Sequence, residues 1–142
     1  MDLAFELHDL VRTLDRHAEK LLRAEDLSYN RFVALVILSE HPGLTVRQLA
    51  GALGISDPSA SALVRKLVAA GFVENVAPPG SGNMRLLTIT EEGRTKQRIC
   101  SALLGNSLDD NAARVGIDPD DLARTIRALH TVVQTTHTDQ GA

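Results

Sequence analysis

Apolar side chains recur every three or four residues from the start of the chain to about residue 24. The positions are Leu3, Leu7, Leu10, Val11, Leu14, Ala18, Leu21 and Leu22. This spacing predicts one face of an amphipathic helix, because an α-helix turns once in about 3.6 residues. A second helix is expected from the N-cap residue Ser28 to the Pro42-Gly43 stop. Since residues 32–38 are all apolar, it should be the most buried helix.

Two short helices joined by a tight turn are predicted next. Thr45 and Gln48 have the spacing of a capping box, so the first helix should begin after Thr45. Gly54 supplies the conformation of the turn that ends it. Ser56 caps the second helix, which has a proline in its first turn, where no helical hydrogen bond is lost.

The pattern then changes to that of a β-hairpin. Residues 72–76 and 84–89 are rich in β-branched and apolar side chains and flank the turn-forming segment APPGSGN. Thr90 caps a further helix that should run toward Leu108, with Gly105 as a weak point inside it. A last helix starts at Asp118-Pro119. Its apolar stripe is Leu122, Ile126, Leu129 and Val133.

These elements predict a mainly α fold with a small β-hairpin wing, in which a winged helix-turn-helix is flanked by N- and C-terminal dimerisation helices. We expect N-terminal helices over residues 1–44, the winged lobe over 45–90 and C-terminal helices over 91–142, within a single compact domain. The terminal helices carry apolar stripes, although the middle of the chain already forms a compact unit. Pairing with a second copy would bury these stripes, so we expect a homodimer.

The segment LAGALGISDPSASALVRKL has the spacing of a DNA-binding helix-turn-helix. Ala50 permits the two helices to approach closely, and Ala60 and Leu63 pack the second helix against the first. The outward positions of that helix include Ser59, Ser61, Arg65 and Lys66. Hydroxyls suit bases or phosphates, and the cations suit phosphates. The alternative is a helical hairpin that merely packs, but the hairpin downstream favours a winged unit whose tip reaches a minor groove or the backbone.

In this order, the segments YNRFVALVIL, TVRQLAGALGIS, LVAAGFVENV and LTITEEGR resemble the MarR family of bacterial transcription regulators across nearly the whole chain. The resemblance implies a triangular homodimer held by its terminal helices. It also implies two winged lobes that read a near-palindromic site in double-stranded DNA, and often repression relieved by a small phenolic or aromatic-acid ligand. The expected DNA-binding residues are Thr45, Arg47, Ser56, Ser59, Ser61, Arg65, Lys66, Asn83 and Arg85.

The chain departs from the family pattern at several of these positions. The family wing usually carries Asp-x-Arg, where this chain has Ser81 and Asn83, so the usual minor-groove arginine is missing. Asp57 and Ala62 stand where many members have basic or long polar residues in the reading helix. We therefore expect fewer direct contacts to DNA bases than is typical of the family. Arg85 either substitutes for the missing arginine or only decorates the surface.

Composition narrows the class of protein. The 142 residues carry a net charge of −3, which alone argues against a nucleic-acid partner. Residues 45–90, however, hold four basic side chains against two acidic ones, a net charge of +2. This small local charge predicts weak, salt-sensitive DNA binding that depends on both lobes of the dimer. No apolar run approaches 18 residues and no leader precedes the first helix, so we expect a cytoplasmic protein without a membrane partner.

No constellation of residues predicts an enzyme, a cofactor or a metal site. The histidines have no helical i, i+4 pairing with one another, which favours packed or solvated roles over zinc ligation. Cys100 is expected to pack in the fifth helix, with a redox-sensing role as the alternative. Weak candidates for ligand binding are Arg12, Arg16 and Lys20, which equally suit ordinary ion pairs on a solvated helix face.

The sequence is therefore consistent with two functions. The first is a ligand-responsive transcriptional regulator that binds DNA. The second is a winged-helix dimerisation or protein-interaction module in which sequence-specific DNA reading has weakened. The salt dependence of DNA binding distinguishes them.

Overall fold

The structure is a computed structural model that describes the backbone of residues 1–82 and 84–140, with side chains through residue 137. Within these ranges, seven α-helices and a 3-10 turn (Arg23–Glu25) accompany two strands. The elements are α1 (Leu3–Leu22), α2 (Tyr29–Glu40), α3 (Val46–Leu53), α4 (Asp57–Ala69), β1 (Val73–Asn75), β2 (Leu87–Ile89), α5 (Glu91–Leu104), α6 (Ser107–Arg114) and α7 (Pro119–Gln140). The predicted fold class, mainly α with a hairpin wing, is confirmed.

The chain divides into two compact units, Met1–Leu104 and Gly105–Ala142. The first unit holds everything from α1 to α5, including the winged helix-turn-helix, and the second holds α6 and α7. No helix in the described part of the chain is long and apolar enough to cross a membrane.

Helix caps begin three of the helices where the sequence predicts them. Ser28 Oγ accepts a hydrogen bond from the Arg31 backbone at 3.2 Å and begins α2. Thr45 and Gln48 form both halves of the capping box, at 3.1 and 2.9 Å, and begin α3. Ser56 Oγ accepts from the Ser59 backbone at 3.2 Å and begins α4. These local hydrogen bonds satisfy backbone donors that have no partner within the helix.

The expected helix from Thr90 toward Leu108 is wrong in its length. It stops at Leu104, and Leu108 belongs to the separate helix α6. Gly105 adopts φ +58°, a left-handed conformation that ends a helix. The residue that the sequence marks as a weak point therefore breaks the helix.

The hairpin strands are shorter than the apolar runs predict. They pair antiparallel over three residues each, with Glu74 opposite Thr88 at the centre. Beyond the paired residues, Val76 N still donates to the Leu86 carbonyl oxygen at 2.8 Å. The Leu86 N–H donates to Asn75 Oδ1 at 3.0 Å, so a side chain replaces the second backbone hydrogen bond at this pair. Leu87 also forms a β-bridge to Leu44, which ties the wing to the segment before α3.

The core of the first unit lies where α2, α3, α4, α5 and the two strands meet. Its most deeply buried large side chains are Leu22, Leu35, Leu38, Leu49, Leu67, Leu87, Val64, Val73 and Cys100. Gly93 permits α5 to start directly against the wing, since a Cβ there would overlap the Phe72 carbonyl oxygen and lie 2.7 Å from Ile89 Cγ1. This packing fixes the wing beside α4.

Candidate nucleic-acid interface

Helix α4 is the predicted reading helix, and it forms a ridge on the surface of the first unit. Its inner face consists of Ala60, Val64 and Leu67, all buried. Pro58 and Arg65 on the opposite face are exposed. Because one face is held in the core, the orientation of the other is fixed by the packing of α3 against α4.

A basic groove lies on one side of this ridge, between the start of α3, helix α4 and the wing. We call it the wing groove, and its volume is about 760 Å³. It is lined by Thr45, Val46, Arg47, Ser61, Arg65, Asn75, Gly82, Met84 and Arg85. Five expected DNA-binding residues are thus brought together, including three arginines. None of these lining residues is acidic, so the groove presents positive charge.

A second groove lies on the other side of α4, against the start of α2. We call it the α2 groove, and its volume is about 440 Å³. It is lined by Ser28, Asn30, Arg31, Ile55, Ser59, Ala62, Leu63 and Lys66. The expected DNA-binding residues Ser59 and Lys66 lie here, separate from Arg65. Sequence reasoning missed Asn30 and Arg31, because their proximity to α4 arises only from the packing of helices that are distant in the chain.

Two of the expected DNA-binding hydroxyls have structural roles. Ser56 Oγ accepts from the Ser59 backbone and also donates to Ser59 Oγ at 2.9 Å. Thr45 Oγ1 accepts from the Gln48 backbone at 3.1 Å. These bonds fix the starts of α4 and α3 and thereby the positions of the neighbouring side chains.

The wing residue Asn83 lies outside the described residues. Arg85 is exposed and lines the wing groove with Arg65. The two arginines also line a smaller pocket of about 500 Å³ beneath the C-terminal half of α4. The described position of Arg85 is thus beside the reading helix.

The three ligand-binding candidates on α1 are exposed. Arg12 Nη2 lies 3.8 Å from Asp9 Oδ1, and Arg16 donates to Thr13 Oγ1 at 3.1 Å. These contacts fit ordinary interactions on a solvated helix face. Lys20 lies in the last turn of the same helix, where a cation interacts favourably with the helix dipole.

Cys100 is fully buried in the core, as the packing interpretation expects. Burial raises the pKa of its thiol, and the nearby Lys96 ammonium opposes this shift only in part. Lys96 itself is held by Glu25, with Nζ 2.8 Å from the carboxylate Oε2. A buried, protonated thiol is a poor nucleophile, so this environment favours a packing role for Cys100.

Comparison with known proteins agrees with this geometry. Residues 25–82, from the 3-10 turn into the wing, match the MarR family. Over this segment, the chain is similar to MarR-family proteins. Of the curated members, the organic hydroperoxide resistance transcriptional regulator of Bacillus subtilis is 22% identical to it, over 95% of this chain and 89% of that protein.

Solved MarR-family structures have the same fold. The transcriptional repressor CouR, bound to a 23-mer DNA duplex, superimposes with a TM-score of 0.78 at 20% identity, covering 93% of this chain and 92% of that one. A Mycobacterium tuberculosis MarR family protein in complex with salicylic acid has a TM-score of 0.68 at 25% identity, covering 93% and 96%. The part of this chain whose side chains the structure describes holds no cluster of metal-ligating residues.

Proposed function

We propose that this protein is a MarR-family regulator, and that it is a homodimeric repressor that binds a near-palindromic operator and is released by a small aromatic acid or phenol. The wing groove carries the proposal. Three arginines converge there beside the exposed face of α4, and no carboxylate lines the groove. Arginine supplies several N–H donors to phosphate. About half to two-thirds of the hydrogen bonds between proteins and DNA go to phosphate or sugar oxygens.

The dimer is supported by the apolar surface that the terminal helices expose. Leu122, Ile126, Leu129 and Val133 are each 39% exposed or more, and they lie on one face of α7 at three- and four-residue spacing. Leu3, Phe5, Leu10 and Val11 expose a further apolar surface on α1. Two winged lobes related by twofold symmetry would read a palindrome, because half-site symmetry mirrors the symmetry of the protein.

Repression and ligand release are supported by the comparisons. CouR is a repressor bound to DNA, and the Mycobacterium tuberculosis relative binds salicylic acid. On α1, Arg12, Arg16 and Lys20 are cations that could meet the carboxylate of such a ligand.

The experiment is DNA footprinting on the intergenic DNA beside the gene of this protein, followed by measurement of affinity across a range of salt concentrations. We expect a steep fall of log K with log salt, with a slope of about −0.9 for each phosphate contacted. In a dimer, Arg47→Gln and Arg65→Gln should each make this slope less negative by about 1.8, since two contacts are lost. Arg98→Gln removes the same charge outside both grooves and should leave the slope unchanged.

Absence of a footprint, even at low salt, would contradict the proposal and favour the winged-helix interaction module. Repeating the footprint with salicylate tests release: protection should fade as salicylate is added. Protection that persists at saturating salicylate would remove that ligand from the proposal, while leaving DNA binding intact. A reporter gene placed behind the footprinted DNA should be expressed more strongly when the regulator is deleted.

A further inference from the structure

We propose that the α2 groove binds the DNA backbone on the strand across the major groove from the strand that the wing groove contacts. This inference rests on the proposed function and adds a second interface to it. Its key residues are Arg31 and Lys66. Arg31 is not among the DNA-binding residues expected from the sequence, and nothing in the winged helix-turn-helix pattern marks it.

Helix α4 has two sides that line different grooves. Ser59, Ala62 and Lys66 are separated by three and four residues, so they share one side of the helix, and all three line the α2 groove. Ser61 and Arg65 share the other side and line the wing groove. Adjacent in sequence, Arg65 and Lys66 therefore serve different grooves.

The ridge that α4 forms matches the major groove of DNA in width. The major groove of B-DNA is about 12 Å wide, and an α-helix with its side chains is about 10–12 Å across. A helix that fills the groove therefore has a sugar-phosphate backbone on each side. Basic side chains on both sides of α4 are the arrangement that such docking requires.

The charged side chains that line the α2 groove are both basic. Arg31 and Lys66 are its two charged lining residues, and none of the lining residues is acidic. Ser59 and Asn30 add a hydroxyl and an amide, which are further groups that contact phosphate and sugar oxygens. The groove complements a phosphate backbone in charge and in hydrogen-bonding capacity.

The Arg31 side chain is held by a hydrogen bond to Ser28. Its Nε donates to Ser28 Oγ at 3.1 Å, and the same oxygen accepts from its backbone N at 3.2 Å. The guanidinium is thus anchored at its Nε end to the N-cap of α2. Anchoring reduces the side-chain entropy that a phosphate contact would cost, which distinguishes this arginine from a freely moving surface cation.

The test compares two variants that remove one positive charge each. Arg31→Gln removes the anchored guanidinium from the α2 groove. Arg23→Gln is the matched control, because Arg23 is exposed and does not line the α2 groove. Arg23 and Arg31 both line a neighbouring cleft with Glu19 and Asp26, so the two variants differ in whether the lost cation also faces the α2 groove. Binding of the footprinted operator is measured across salt concentrations, and the urea midpoint of each variant is measured alongside. Lys66→Gln provides a second probe of the groove on a different helix.

We expect Arg31→Gln and Lys66→Gln each to weaken operator binding about tenfold and to make the salt slope less negative by about 1.8 per dimer. Arg23→Gln should bind as the wild type does. If Arg31→Gln and Lys66→Gln both match Arg23→Gln, the α2 groove contacts no phosphate and the inference is overturned, while the proposed function stands. If the wild type binds no DNA, both fall together.

Phosphate ethylation interference on the wild-type complex provides an independent readout. Interference should map to phosphates on both strands flanking the major groove in each half-site. In the Arg31→Gln complex, interference should fade on one strand, and in the Arg47→Gln complex it should fade on the other. The inference would be contradicted if Arg31→Gln and Arg47→Gln lost interference on the same strand. It would also be contradicted if Arg31→Gln lost interference on neither strand.

Discussion

The two compact units of this chain bury their apolar residues to very different degrees. In the first unit, leucines from four helices and a strand are inaccessible to solvent. In the second, no side chain over residues 105–137 is buried, although α7 carries a regular apolar stripe. The core residues of the winged lobe are therefore buried within a single chain. The terminal unit leaves an apolar surface that a second chain would cover.

The largest effect is expected from charges placed in the α7 stripe. The double variant Ile126→Glu, Leu129→Glu should weaken self-association by at least about a thousandfold, because two carboxylates would be buried without partners. Analytical ultracentrifugation measures this. The control Thr131→Glu, Thr135→Glu adds the same charge on the opposite face of the helix and should remain dimeric. Equal dissociation in both variants would remove the stripe from the interface.

A smaller effect is expected from a cavity in the winged lobe. Leu87 is fully buried where the wing meets the segment before α3, so Leu87→Ala should lower the free energy of unfolding by about 3 kcal/mol. Urea denaturation measures the loss. Met84→Ala, which truncates an exposed side chain of the same wing, should cost much less. Similar losses of unfolding free energy in Leu87→Ala and Met84→Ala would contradict a core that is buried within the single-chain lobe.

The smallest effect is expected at Cys100. Cys100→Ser replaces a buried thiol by a hydroxyl that needs a hydrogen-bond partner, and should cost about 2 kcal/mol. Since the folded chain holds the pKa of the thiol above its unfolded value, the wild type should lose stability relative to Cys100→Ser as pH rises past that unfolded value. Parallel urea titrations at neutral and alkaline pH test this.

Reactivity of the same thiol gives a second measurement. The native thiol should react slowly with a disulfide reagent and rapidly once the chain unfolds. Fast reaction in the native state, together with DNA binding that peroxide abolishes in the wild type but not in Cys100→Ser, would restore the redox-sensing alternative.

The parts that the sequence predicts best are those governed by local chemistry. The caps at Ser28, Thr45 and Ser56 depend on a side chain and a backbone N–H three residues away, so they can be predicted from the amino-acid sequence. The failures have both local and longer-range causes. Gly105 ends α5 through its own backbone conformation, whereas at the end of the strand pairing the Leu86 N–H donates to the Asn75 side chain across the hairpin.

The candidate site shows the same division. Sequence spacing places Arg65 and Lys66 on the outer side of the reading helix, but it gives no means of assigning them to separate grooves. That assignment needs the neighbours of α4, with the wing and α3 on one side and the start of α2 on the other. Arg31 enters the site only through this packing.

By itself, the sequence determines the order of the helices, their caps, the winged helix-turn-helix and the small positive charge of residues 45–90. Each depends on residues within a few positions of one another, or on composition alone. Only the tertiary structure decides which cations share a groove and that Gly93 must lack a side chain to let α5 meet the wing. The physical reason is that charge and packing act through space, and side chains far apart in the chain become neighbours only when the core forms.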